Sequence, residues 1–554
     1  MPDKPKPAGD LQQAVQASWL PMIIIALAQI QMSFNVSALP VSIGKIVEAF
    51  DTSPTTVSTA LVIYSLAVAG LVMLGAKVGK LIGARLAFQI GVALHGVSMA
   101  VMALSQDTGR IFLAQALAGV AAALIVPTLV VLIANHYRGA QQSQSLGLLG
   151  SAQAGAGILA FLVVGIIGTL AGWRPSFWLI VGIAIVVFLL SFRFKSIPAD
   201  RDVKIDWIGA LLAALSITLI SLGFNNLKAW GMLLASPDAP VSVLGMSPSP
   251  IMIVVGIVIG QGFFIWAHRR QAQGKAPLLS LEVLDTPQER AATYSLFIIA
   301  ALGPAINFLI PLYIQIVQGG DSLQTSIAVI PYSLAIFIAT AWVVRLFERF
   351  TPRQIGRGGF IIVAVGLTLL AIAIRNDWGT PLVIFSLIVI GLGEGALLTL
   401  VFNVLVSASP KKLAGDVGAL RGTTNNLATG LGTAFASVLS VSVLSIIVVN
   451  SLLRSPVIPD VVVENTAYLD EIDFISNDQL DDVLEETDLT PRQEAEVFEI
   501  NVEARLQALK ISFLTLACVA ALAILPAGKL PDYVPGEVIV DSFENSSQKP
   551  AESS

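Results

Sequence analysis

The sequence predicts an all-α polytopic membrane protein with fourteen transmembrane helices, arranged as two six-helix bundles with two extra helices between them. Three observations lead to this prediction. Apolar residues make up 55% of the chain and charged residues only 12%, whereas about a quarter of a soluble domain is charged. Fourteen stretches are almost free of charge and have the length of about twenty residues that crosses a hydrocarbon core as a helix. A short basic turn recurs at corresponding places in the two halves.

The stretches are predicted to be helices because a helix pairs its own backbone polar groups, and because barrel strands would be shorter and would alternate. In order, the predicted spans are residues 19–40, 55–75, 86–104, 110–134, 145–170, 177–192, 207–222, 251–267, 292–317, 325–346, 358–374, 381–406, 417–449 and 506–525. Clusters of Lys and Arg fall in alternate loops, and such loops stay on the cytoplasmic side. Both termini of this multi-pass protein are therefore expected on the cytoplasmic side of the plasma membrane.

The spans divide the chain into two halves and a connecting region. Residues 19–194 are predicted to form the N-terminal bundle, 195–290 a linker with the seventh and eighth helices, and 291–527 the C-terminal bundle. We expect the two extra helices to be peripheral. Residues 1–18 and 528–554 are expected to be cytoplasmic tails, the second of them disordered.

One acidic loop interrupts the C-terminal half. Fifteen of the 37 acidic residues lie in this loop, which is predicted at 450–504 on the extracellular side. Ser476 and Thr490 are each followed three residues later by Gln, which is the spacing of a capping box. Pro491 suits a first helical position. We predict a short helix after Ser476 and another from Pro491 towards the last span. The loop is either a solvated acidic cap or a surface that attracts cations or a partner.

The basic turns indicate internal symmetry. Residues 76–85 follow the second span and residues 344–353 follow the tenth, and both are tight turns between two helices. Repeats of this kind are typical of alternating-access transporters, which bind substrate near the midplane between their halves. The gating candidates in and near these turns are Lys77, Lys80, Gly83, Arg85, Glu348, Arg349 and Asp416.

Other residues stand at characteristic places in the spans. They are Tyr64 before the turn at 75–85, Ala38-Leu39-Pro40 at the end of the first helix, Gly119 and Pro127 in the fourth helix, and Gly172-Trp173-Arg174 with Phe177 at the start of the sixth. In these residues and in its fourteen spans the chain resembles the major facilitator superfamily, specifically its fourteen-helix drug:proton antiporter branch. The resemblance implies a secondary transporter that exports a small organic or amphipathic compound by alternating access, with protons as a candidate coupling ion.

The chain departs from that family at four places. Lys80 stands where the family's turn has an acid, Gln31 where its first helix often has one, and Gln115 where its fourth helix has an arginine. The dipeptide Ala160-Phe161 replaces the Gly-Pro of the fifth helix. These replacements argue against proton coupling through the family's usual groups. They favour a second interpretation, in which the chain is a non-transporting membrane partner or sensor.

Glu394 is the acidic residue nearest to the centre of any span, and three glycines flank it at positions 391, 393 and 395. A carboxylate at the bilayer centre costs at least roughly 2.5 kcal/mol on insertion scales unless it is neutral, paired or facing water. Glycines let helices approach closely or let a ligand reach the backbone. Glu394 is therefore a candidate for proton coupling or substrate binding. The alternative is a neutral, hydrogen-bonded structural carboxyl group.

Several other polar side chains within spans are candidates for the substrate site. They are Gln31, Asn35, His95, Gln115, Asn307 and Asn403. Gln31 and Asn35 lie four residues apart and share a helix face, where they either line a cavity or hold helices together. His95 is either a packed, hydrogen-bonded histidine or a proton relay.

Lys80 and Asp416 are expected to form an ion pair that closes the cytoplasmic side. Asp416 stands just before the thirteenth span, where it can cap a helix N-terminus that carries roughly half a positive charge. In the alternative, Lys80 points into solvent or lipid headgroups. A partly exposed pair of this kind contributes only about 0–1 kcal/mol.

The sequence lacks the motifs of several other classes of protein. It has no Gly-x-x-x-x-Gly-Lys-Ser/Thr loop, so ATP is not expected to drive it. No Cys/His cluster indicates a metal, no cofactor is expected, and the basic turns are too short to predict nucleic-acid binding. No catalytic cluster indicates an enzyme. The expected partners are a small-molecule substrate, protons and the lipid bilayer.

Overall fold

The computed structural model describes residues 18–532 apart from residues 53, 196, 238, 320–321, 377–380, 410, 459–479, 481–483 and 485–488. Within these residues, 14 helices are long and apolar enough to cross a membrane, which confirms the predicted fold class. They are α1 (Leu20–Phe50), α2 (Pro54–Ile82), α3 (Ala84–Ala103), α4 (Thr108–His136), α5 (Gly139–Ala171), α6 (Arg174–Ser191), α7 (Trp207–Asn225), α8 (Pro248–Ala272), α9 (Pro287–Leu312), α10 (Ser322–Leu346), α11 (Pro352–Ala373), α12 (Pro381–Ala408), α13 (Ala414–Arg454) and α14 (Pro491–Leu522).

Short helical turns complete the described secondary structure. A π-helical turn, Tyr313–Val317, follows α9, and single turns lie at Leu227–Trp230, Leu281–Leu284, Lys411–Leu413 and Ile524–Ala527. The described part of the chain contains no β-strand, only isolated bridges near Met246.

Helix starts follow the local sequence. Thr490 and Gln493 form a reciprocal capping box, and Pro491 takes the first helical position of α14. This confirms the predicted helix, which continues without a break into the last span. Of the predicted helix after Ser476, the structure describes only Leu480 and Leu484, both helical, and the rest lies outside the described residues. Most of the acidic loop and the C-terminal tail beyond residue 532 also lie outside them.

Pro40 does not end the first helix, so that prediction is wrong. Helix α1 continues through Pro40 to Phe50. A proline inside a helix removes one backbone hydrogen bond and crowds the preceding turn. Here α1 packs along α5, α6 and α2, and this burial of apolar side chains stabilises the helix beyond the proline.

The helices form two sets and a separate pair. Helices α1–α6 pack among themselves, as do α9–α14, and α7 pairs with α8 while also touching α2 and α13. The α7–α8 pair is fastened at one end by Asp206, which is buried. Asp206 caps α7 at the Gly209 amide (3.0 Å) and accepts a hydrogen bond from Trp266 of α8 (3.0 Å). The Arg270 guanidinium lies 3.4 Å from the same carboxylate.

The two sets meet along a seam at one face of the membrane. We call this face of the membrane the basic face, because it carries the basic turns at 77–85 and 345–353 together with the start of α13. Gly147 of α5 packs against the Thr340 carbonyl of α10, and Gly150 lies beside Thr340 and Thr399. Gly418 of α13 packs against Pro127 of α4. The α5 glycines therefore pack across the seam, and the halves are closed on the basic face.

Candidate functional site

Glu394 lies where three helices of the C-terminal set meet. Its side chain extends from the middle of α12, and the residue is only 6% exposed. The Tyr332 hydroxyl of α10 donates a hydrogen bond to Oε2 of Glu394. On the third side lies Gly303 of α9, where an added Cβ would overlap Oε1. The carboxyl group thus has one specific donor and no spare space towards α9.

The flanking glycines bring the neighbouring helices close to α12. Gly391 packs on the Tyr332 carbonyl and Gly395 on the Ile336 carbonyl, both in α10. Gly393 points the other way, towards the Gly359 carbonyl of α11. Small residues four apart allow helix backbones to approach each other in a membrane. The glycines therefore serve helix packing, and this packing holds Tyr332 within reach of Glu394.

No Lys, Arg or His in the described chain lies within ion-pair distance of Glu394. If the Glu394 carboxylate were charged, only the hydrogen bond from the Tyr332 hydroxyl would stabilise the charge. Binding of a proton removes the charge and the cost of burying it. Asn307 lies one helical turn beyond Gly303, donates to the Gly303 carbonyl (3.0 Å) and is exposed. Because an exposed amide within a span is costly towards lipid, Asn307 is a candidate for contact with water or substrate.

The N-terminal candidates form two buried hydrogen-bonded pairs. Asn35 of α1 and Gln115 of α4 exchange two amide hydrogen bonds, each 3.1 Å long. Gln31 of α1 contacts Nδ1 of His95 in α3 through its side-chain nitrogen (3.0 Å). Oε1 of Gln31 and Nε2 of His95 have no partner among the described residues. The structure therefore places these four side chains between helices of one half.

Two polar residues of the C-terminal half, Asn403 and Arg421, lie nearer the basic face than Glu394 does. Asn403 donates to the Thr399 carbonyl (3.1 Å), and its Oδ1 has no hydrogen-bond partner in the described chain. Next to it, Phe402 carries the guanidinium of Arg421 over its ring, at 4.1 Å from the centroid. Sequence reasoning missed Arg421, although a lone arginine inside the predicted span 417–449 was a visible signal. It also missed Tyr332, because a tyrosine within an apolar span does not stand out from its neighbours as an arginine does.

Asp416 pairs with Lys77 and not with Lys80, so the predicted Lys80–Asp416 pair is wrong. The Lys77 ammonium lies 2.8 Å from Oδ1 of Asp416, and the Ser280 amide donates to the same oxygen (3.2 Å). Lys77 lies one turn deeper in α2, beside Ala76, which faces Gly415 at the start of α13. The side chain of Lys80 is exposed.

The remaining turn candidates do not join this pair. Gly83 has φ +91°, and an added Cβ there would lie 3.0 Å from the Ile197 carbonyl, so the tight turn requires glycine. The Arg85 guanidinium lies 5.8 Å from the centroid of the Phe192 ring. Glu348 and Arg349 are exposed in the turn between α10 and α11.

Comparisons with known proteins concern the family and the fold of the whole chain. The model of the family described as "Major Facilitator Superfamily" matches residues 23–433. The chain is 24% identical over 435 residues to the puromycin resistance protein pur8 of Streptomyces alboniger, covering 76% of this chain and 82% of that one. It is 26% identical over 421 residues to the multidrug efflux pump LfrA of Mycolicibacterium smegmatis, covering 75% and 80%.

Solved structures share the fold. The human organic anion transporter MFSD10 superposes with a TM-score of 0.55 at 12% identity, covering 92% of this chain and 99% of that one. The proton:xylose symporter XylE superposes with a TM-score of 0.51 at 11% identity, covering 92% and 94%. At these identities the likeness concerns the fold alone.

Proposed function

The chain belongs to the major facilitator superfamily, a family of secondary transporters, and we propose that it exports a small organic, amphipathic compound through the cell membrane in exchange for protons. Export is supported by relatives that are named as resistance and efflux proteins. In this proposal both termini and the basic face are cytoplasmic, as the distribution of Lys and Arg favours.

One observation carries the proton coupling. The Glu394 carboxyl group has the Tyr332 hydroxyl as its hydrogen-bond donor and no cation as a partner within the described chain. A group in this setting changes its charge by binding or releasing a proton, because no neighbouring cation holds it ionised. The exposed Asn307 beside it supports a water path for that proton.

In this proposal, alternating access depends on opening and closing of the seam between the two halves. In the described state the basic face is closed by glycine packing and by the Lys77–Asp416 pair. Release of a proton from Glu394 changes the charge buried between α9, α10 and α12, and this change biases the packing of the C-terminal helices against the N-terminal set. Opening of the seam would admit the compound from the cytoplasm.

The test is flux in proteoliposomes that contain the purified protein and pyranine as an internal pH reporter. Puromycin, the compound in one relative's name, heads a panel of amphipathic probes, each tested with and without a pH gradient. We expect gradient-driven flux of a probe with opposite proton movement, and loss of both in Glu394→Gln. Glu48→Gln, an exposed acid paired with Lys45, is the matched control and should transport normally.

Two results would contradict the proposal. If Glu394→Gln transports with the same pH dependence as the wild-type protein, Glu394 is a structural carboxyl group. If the wild-type protein moves no probe under any gradient, the second interpretation, a non-transporting membrane partner or sensor, takes precedence.

A further inference from the structure

Arg421 is a charged residue on the seam between the halves. It lies two turns into α13, between Gly418, which packs against Pro127, and Gly422, which packs against Val72 and Val126. Helix α13 is surrounded by α2, α4, α7, α9 and α14. The Arg421 side chain is half-buried. Since helices of both sets enclose α13, the exposed part of Arg421 faces the space between the halves and not the lipid.

Within the described residues, no carboxylate compensates the charge of Arg421. Among the residues that the structure describes, no carboxylate forms an ion pair with it and no acceptor forms a hydrogen bond with it. Its partner is the face of Phe402, at 4.1 Å. An aromatic face attracts a cation but leaves the five guanidinium N–H donors without acceptors. The side chains packed at Gly418 and Gly422, from Pro127, Val130, Val72 and Val126, are apolar and supply no acceptor.

Unpartnered polar atoms accompany this charge. Asn403 follows Phe402 in α12, and its Oδ1 has no hydrogen-bond partner within the described chain. The buried Thr423 hydroxyl also has no partner in the described chain, but it lies two residues after Arg421 and therefore on the other side of α13. Buried polar groups are nearly always paired with protein, water or ligand. The Arg421 guanidinium and the Asn403 amide oxygen therefore both lack a hydrogen-bond partner at the level of Phe402.

We propose that Arg421 binds an anionic group, a carboxylate, sulfonate or phosphate, of the organic compound that occupies the space between the halves. A guanidinium forms two parallel hydrogen bonds to such a group, and the contact with the Phe402 ring holds the Arg421 guanidinium in place. This inference rests on the proposed transport function and narrows its substrate class to compounds that carry an anionic group on an apolar body.

The experiment compares two dyes that differ by one sulfonate: 8-anilinonaphthalene-1-sulfonate and N-phenyl-1-naphthylamine. Binding is titrated by dye fluorescence with the protein in phosphatidylcholine nanodiscs, and the signal of empty nanodiscs is subtracted. We expect Arg421→Gln to weaken binding of the sulfonate dye by about tenfold or more and to leave the neutral dye unchanged. Arg421→Lys should keep part of the preference. Arg110→Gln, an exposed arginine at the start of α4, is the matched control and should change neither dye.

Several outcomes would overturn the inference. Equal loss of both dyes in Arg421→Gln means that Arg421 supports the fold, and a lowered apparent Tm of that variant would agree with this. An unchanged dye preference means that Arg421 does not contact the anion. If phosphatidylglycerol in the nanodiscs abolishes the Arg421-dependent binding, the site holds a lipid headgroup instead of a transported compound. The titration needs no flux, so its result is independent of whether proton-coupled export is observed in proteoliposomes.

Discussion

The Lys77 ammonium and the Asp416 carboxylate lie 2.8 Å apart across the seam, and their side chains are only 9% and 5% exposed. The pair joins α2 of one half to the first turn of α13 in the other. Removing one member of a buried pair leaves the other charge uncompensated, at a cost of about 3–5 kcal/mol. We therefore expect the pair to stabilise the state in which the basic face is closed.

We expect Lys77→Met to shift the protein towards a state with an open basic face. Spin labels at Arg138→Cys and Arg349→Cys, with Cys518→Ser to remove the native thiol, measure the distance between the two halves on that face. The distance distribution should move to longer values in Lys77→Met. Lys80→Met is the matched control, because the side chain of Lys80 is exposed one turn away. A distribution unchanged by Lys77→Met, or changed equally by both variants, would show that the pair does not hold the seam.

Gly303→Ala should impair transport through Glu394. The added methyl group overlaps Oε1 of the carboxyl group, so Glu394 or α9 must move and the hydrogen bond from Tyr332 must change. Alanine in a helix is otherwise more favourable than glycine by about 0.5–1 kcal/mol. Gly182→Ala in α6, where nothing lies within 4 Å of the added atom, should leave proteoliposome flux unchanged. Normal pH-dependent flux in Gly303→Ala would mean that the Glu394 side chain is not confined as the structure indicates.

The Asn35–Gln115 pair should show strong coupling between its two members. Replacing Gln115 with Leu leaves a buried Asn35 amide without partners and should cost about 1–3 kcal/mol, whereas replacing both residues with Leu removes both polar groups and costs much less than the sum. Apparent Tm values of the two single variants and the double variant provide this cycle. Strictly additive losses would indicate that the two amides do not depend on each other.

Asp206→Ala should loosen the α7–α8 pair without stopping transport. The change removes the cap of α7, worth about 1 kcal/mol, and the partner of Trp266 and Arg270. The apparent Tm is expected to fall, while flux of a transported probe is retained because α7 and α8 are proposed to be peripheral. Asp202→Ala, an exposed acid in the same loop, is the control for Tm. Loss of flux at a normal apparent Tm would place the extra helices in the transport mechanism.

The sequence determined the class, the number of helices and most helix ends. The hydropathy of a segment depends only on its own residues. An apolar segment in a bilayer forms a helix because its backbone polar groups must be paired within the segment. Capping residues such as Thr490 act over three positions and could be read directly. The prediction at Pro40 failed because packing against neighbouring helices, which no local rule contains, stabilises α1 beyond the proline.

Only the tertiary structure decided which polar residues meet. Lys77 and Asp416 are 339 residues apart in the chain, and the rotation of α2 in the bundle determines whether Lys77 or Lys80 faces α13. In the same way, the sequence marked Glu394 as a buried acid but could not show Tyr332 as its partner, because that contact depends on α10 packing against two glycines of α12. Composition and spacing therefore determined that this chain spans the membrane fourteen times, and helix packing determined where its few buried polar groups are placed.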